Sequence, residues 1–249
     1  MEKVLQEEFD FAYKLFNKVL SVELSQPTLY FGDEHLSKFH TYNSINSWAH
    51  NSRTNMIYEG EGIYVASKMM KKSKGERIFG FLHELGHAFV RNNNPKIENI
   101  DYLWETDRDR GNVYHAFKEG AADHIAIICC SQSGEEEIIL RGQRKAKLLD
   151  SILESWINDK DVYETAQIYA EHFGKDTIDE NGNINWEETA ITYFSREKML
   201  GQIHFSYIMG RHFMKNVIDK VDIVDLIRNP PQSIRELVCP ETYLESINY

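Results

Sequence analysis

Ser73-Lys-Gly-Glu76-Arg-Ile-Phe-Gly-Phe-Leu-His83-Glu84-Leu-Gly86-His87-Ala-Phe89 is the stretch that decides the fold of this chain. Ser73 with Glu76 three residues on is a capping-box pattern, two reciprocal bonds that start a helix. Ile78, Leu82, Leu85 and Phe89 then recur at helical steps, so one stripe of the helix is apolar. Asn92-Asn-Asn-Pro95 stops it. On this helix His83 and His87 lie one turn apart on one face. Two imidazoles so placed can converge on one metal ion, with the carboxylate of Glu84 beside an open coordination position. Zinc lowers the pKa of a bound water to about 7, and a neighbouring carboxylate can take the proton as that water attacks. Gly86 has no side chain, so another segment can approach closely. Ten histidines leave room for a chance match, but the capped amphipathic helix is the setting this pattern requires.

A catalytic zinc needs a third protein ligand. A second helix is expected over residues 112–130, with Val113, Phe117, Ala121, Ile125 and Ile128 inward and Ser131-Gln-Ser-Gly134 as its stop. It carries Glu119-Gly-Ala-Ala-Asp123. Glu119 is the preferred third ligand, and His115, four residues earlier on the same face, is its rival. Asp123 can accept the outer N–H of a ligand histidine and so fix its ring. Small residues at 120–122 let two helices approach.

Around this pair of helices the pattern is mixed. The N-terminus has Val4, Leu5, Phe9, Ala12, Phe16 and Leu20 at helical spacing, and its Glu7, Glu8 and Asp10 do not suit a signal peptide. Short β-rich runs at 28–31, 56–58 and 63–66 predict a small sheet, the last two as a hairpin. Residues 93–111 form a long polar stretch of the kind used as a lid or binding loop. Helices are expected over 135–158, 162–173 and 186–219, with Pro230-Pro231 and Pro240 punctuating the end.

The chain has 249 residues, 42% of them hydrophobic, enough for a sizeable core. Its net charge of -11 argues against a nucleic-acid partner held on a basic face. No run is long and apolar enough for a membrane span. Cys129, Cys130 and Cys239 are odd in number and two are adjacent, so a reducing, cytoplasmic setting is expected, with Cys129 and Cys130 as buried, inert thiols.

H-E-x-x-H followed by E-x-x-x-D on a later helix resembles the gluzincin peptidases, the thermolysin-like clan. The resemblance implies an α+β, mainly helical, zincin-like fold in one domain, with an N-terminal lobe over 1–134 and a helical lobe over 135–249 closing a cleft. It implies one zinc on His83, His87 and Glu119, Asp123 behind a histidine, and Glu84 as general base in hydrolysis of a peptide or protein substrate. It also implies a peptide-binding edge strand, for which Ile63, Tyr64 and Val65 are placed. An inactive zinc-binding relative serving as an interaction module is the competing expectation, and the intact Glu84 speaks against it.

Pro230-Pro-Gln-Ser233 leading to Pro240-Glu-Thr-Tyr243 is similar to the tail of a group of HExxH metallopeptidases with a P-P-x-S … P-x-x-Y ending. Their Tyr-x-x-Gly-x-x-Phe step reads Tyr207-Ile-Met-Gly210-Arg-His-Phe213 here. Arg235 and Cys239 depart from that tail. The transition state at a zinc peptidase carries an oxyanion, and a side-chain donor usually helps the metal hold it. Tyr207 is the first candidate and His204 the second, and Arg211 could engage a substrate carboxylate. Residues 177–188 nearly match a calcium-binding EF-hand loop, but Thr177 stands where the first ligand should be, so a polar Asn-Gly turn is favoured over calcium.

Overall fold

In the computed structural model, which describes residues 2–32, 56–59, 61–98, 103, 106–157, 164, 166–168, 170–171, 174–196 and 199–247, the amphipathic N-terminus forms helix α1 (Glu2–Leu20). Strands β1 (Thr28–Phe31), β2 (Met56–Glu59) and β3 (Gly62–Val65) follow. They make one sheet in the order β1-β3-β2, with β1 parallel and β2 antiparallel to β3. Leu29 and Tyr58 both lie opposite Ile63.

This order corrects the expectation of an edge strand at Ile63, Tyr64 and Val65. β3 is the middle strand. Ile63 and Val65 are buried, and the Tyr64 ring stacks on Tyr30 at 4.7 Å. The physical reason is β1: by adding in parallel it uses the main-chain groups that a hairpin alone would have left open. Among the described strands, β2 is the edge strand on the hairpin side.

The capping box forms as the residues dictate. Ser73 N donates to Glu76 Oε2 at 3.1 Å, and Glu76 N donates to Ser73 Oγ at 3.2 Å, opening helix α2 (Lys74–Asn93). Phe9 meets Phe81 and Phe16 meets Phe89, at 5.5 and 5.8 Å between ring centroids. The paired steps show α1 running alongside α2 in the same direction. After a 3-10 turn at Pro95–Glu98 comes helix α3 (Arg108–Ser131). It starts four residues before the expected position because Asp107 caps it, its Oδ1 accepting from Arg110 N at 3.2 Å. Helix α4 (Glu136–Ile157) follows, and the described residues between 164 and 171 are helical. Helices α5 (Trp186–Arg196) and α6 (Met199–Val217) lie on either side of residues 197 and 198, which are outside the described set. Short helices α7 (Ile223–Arg228), α8 (Ile234–Val238) and α9 (Pro240–Ile247) end the chain. The protein is thus α+β and mainly helical. None of its described helices is long and apolar enough to cross a membrane.

The chain divides into two compact units, residues 1–92 with 122–146 and residues 93–121 with 147–249. In the first unit α2 and α3 meet at Gly86, where an added Cβ would stand 2.8 Å from Ala122 Cα. In the second, α3 and α6 touch backbone to backbone. A Cβ on Gly210 would lie 2.0 Å from Ala116 O and 2.9 Å from Gly120 Cα. Phe213 packs beside this crossing, between Phe117 and Tyr243. On an exposed helix, Gly→Ala would gain about 1 kcal/mol of propensity. At Gly210 the clash is with main chain that cannot turn aside, so overpacking of about 1–3 kcal/mol wins. Gly210→Ala should therefore lower the midpoint of thermal unfolding by several degrees, as read by circular dichroism. An unchanged or raised midpoint would show that the crossing is looser than described.

Candidate metal centre

The helical turn between His83 and His87 sets their imidazoles edge to face, with Nε2 atoms 3.0 Å apart. Two nitrogens bound tetrahedrally to zinc at about 2.0–2.1 Å would sit about 3.3 Å apart. The pair is therefore close to a chelating arrangement. Glu119, buried on α3, completes a group: one ligand atom from each of His83, His87 and Glu119 lies within 4.8 Å of the others. Two imidazoles and one carboxylate are a donor set that fits a divalent metal ion. His115 is not one of the three. Its ring lies edge-on to Tyr207 at 6.4 Å, one turn before Glu119 on α3.

Asp123 lies one turn beyond Glu119, and its Oδ1 is 2.9 Å from His83 Nδ1. That contact turns His83 Nε2 toward His87. Asp123 is buried, and the Lys145 ammonium on α4 stands 2.9 Å from its other oxygen. Burial pushes the Asp123 carboxyl up, but His83 and Lys145 outweigh it and hold the group below its ordinary value. Glu84, also buried, accepts a hydrogen bond on Oε2 from Tyr58 N of β2 at 2.7 Å. The Arg91 guanidinium lies over the Tyr58 ring at 5.9 Å.

The other candidates fall in varied settings. Tyr207 is half-buried on α6 against His115. His204 belongs to the same helix, but its side chain lies outside the described residues. Arg211 is buried, with Nε 3.5 Å from Asp150 Oδ1. In the 177–188 turn, Asp179 Oδ1 accepts from the main-chain N–H groups of Asn181 and Asn183 at 2.9 and 2.8 Å. Thr177 is buried and donates its hydroxyl to Ala166 O at 2.7 Å, while Glu188 is engaged by Arg235. The first and last positions of a calcium loop are thus spent on protein contacts. Burial pushes the Cys129 and Cys130 thiols up to about 12.

The tail residues hold the second unit together. Ser233 Oγ accepts from Glu236 N and caps α8. Gln232 Oε1 accepts from Arg110 Nη2 at 2.8 Å and from Tyr114 OH at 3.1 Å, both on α3. Tyr243 OH donates to Asn229 O at 2.7 Å, and burial pushes its hydroxyl up to about 12.

Two partners of the site escaped the sequence. The N–H of Tyr58 is a main-chain group with no signature in residue type. Lys145 lies on a helix whose sequence carries no metal motif. No protein-family model, curated protein or solved structure matches the chain.

Proposed function

We propose that the chain is a zinc-dependent peptidase with a zincin-like fold of the gluzincin type, binding one zinc through His83, His87 and Glu119. The observation that carries this is the meeting of those three donors beside a buried Glu84 that is held by a main-chain N–H. A zinc ion held there would supply Lewis acidity to a water and to a substrate carbonyl.

The chain's own residues supply the rest. Glu84 accepts the proton of the attacking water on one carboxylate oxygen and returns it to the leaving amine. The Tyr58 N–H fixes the other oxygen, so the base does not have to be oriented at each turnover. Asp123 sets the tautomer of His83, keeping its Nδ1 protonated and its Nε2 available to the metal. Tyr207 donates its hydroxyl to the oxyanion that develops on the carbonyl. β2 takes the peptide-docking role first expected at residues 63–66, since it is the sheet edge beside Glu84. Arg211, 3.5 Å from Asp150 Oδ1, is the candidate for a substrate carboxylate.

Proteome-derived peptides incubated with wild type and Glu84→Gln side by side test this directly. New termini should accumulate with wild type alone. Equal cleavage by both proteins, or none by zinc-loaded wild type, would remove the peptidase reading.

A further inference from the structure

Asp123 has two oxygens and two partners on two different helices. Oδ1 meets His83 Nδ1 at 2.9 Å, and Oδ2 meets Lys145 Nζ at 2.9 Å. The carboxylate side chain is 2% exposed and the lysine side chain 20%, so neither contact is a loose surface pair. The fold makes the lysine's reach necessary. α4 is brought against α3 at Gly142, where an added Cβ would stand 2.7 Å from Cys130 Cβ. From that crossing Asp123 lies seven residues back along α3, about 10 Å, while Lys145 is three residues on along α4, about 5 Å. A long, flexible side chain spans the difference.

We propose that Lys145 is a positioning residue for the metal centre, clamping one oxygen of Asp123 so that the other stays fixed on His83. The inference rests on the metal-site reading above. A buried carboxylate stripped of this cation would turn toward other donors, and His83 would lose the acceptor that aims its ring.

The test is zinc affinity, measured by competition with a chromogenic chelator, with circular dichroism to check the fold. The proteins are wild type, Lys145→Met, Lys145→Arg, Asp123→Asn and the Lys145→Met/Asp123→Asn double variant. Lys145→Met should weaken zinc by about tenfold, the lower end of what lost outer partners cost. Lys145→Arg should stay near wild type. In the Asp123→Asn background Lys145→Met should add little, because the two changes remove one interaction. If Lys145→Met does not fold, Lys145→Gln replaces it, and the same loss is expected. Wild-type affinity in the folded Met or Gln variant, or a loss that adds in full to that of Asp123→Asn, overturns the inference and leaves the metal site standing. A wild type that takes up no zinc overturns both.

Discussion

Glu84→Gln should keep its fold and its zinc and lose about 10²- to 10⁴-fold in kcat, the usual worth of general-base catalysis. Glutamine is nearly the same size, and its carbonyl oxygen can still accept the Tyr58 N–H that now holds Oε2 at 2.7 Å. The buried position therefore stays filled and its hydrogen bond stays made. What is lost is the capacity to take a proton. The check is steady-state kinetics on a cleaved peptide together with metal analysis of the same preparation. A variant that retains more than about a tenth of the wild-type rate contradicts the assigned role, since even the low end of the range is 10²-fold. Loss of zinc together with activity would mean that Glu84 serves the site's structure and not its chemistry.

Tyr207→Phe should lower kcat by about 10²- to 10³-fold, the cost of one oxyanion donor. KM should move much less, because the contact strengthens only in the transition state. The substitution keeps the ring that packs edge-on against His115 and deletes only the hydroxyl. The ring contact with His115 should be kept, and circular dichroism of the variant should show the fold retained. If Tyr207→Phe is nearly as active as wild type while His204→Ala is dead, the histidine holds the role. If both are active, the donor is neither of them.

The parts of this protein legible in its sequence are those whose partners lie within a turn or two of helix. The Ser73–Glu76 box and the His83–His87 pair need only local geometry, and each side chain lies where that geometry puts it. The exceptions, Glu119 and Asp123, meet the histidines from another helix and were legible from the third ligand and outer partner that a histidine pair calls for. The small residues were readable too. Gly86 meets Ala122 and Gly120 meets Gly210, because close helix crossings leave no room for a Cβ. Strand order was not readable. Whether β1 joins the hairpin beside β3 or beside β2 depends on a pairing across residues 32–61, and nothing in Thr28-Leu-Tyr-Phe31 names its neighbour. The start of α3 was hidden because Asp107 sits in a run of alternating charges, where a capping residue looks like any other acid. Gly210, Phe213, Ser233 and Tyr243 make packing and capping contacts in the second unit.

Metal content tests the central claim most directly. Purified wild type, reconstituted with zinc and freed of excess, should hold one zinc per chain by plasma mass spectrometry. His83→Ala, His87→Ala and Glu119→Ala should each lose it, because each supplies one of the three grouped donors. His115→Ala should keep it. Wild type that holds no zinc after reconstitution, or zinc that survives Glu119→Ala and is lost with His115→Ala, would contradict the site as assigned.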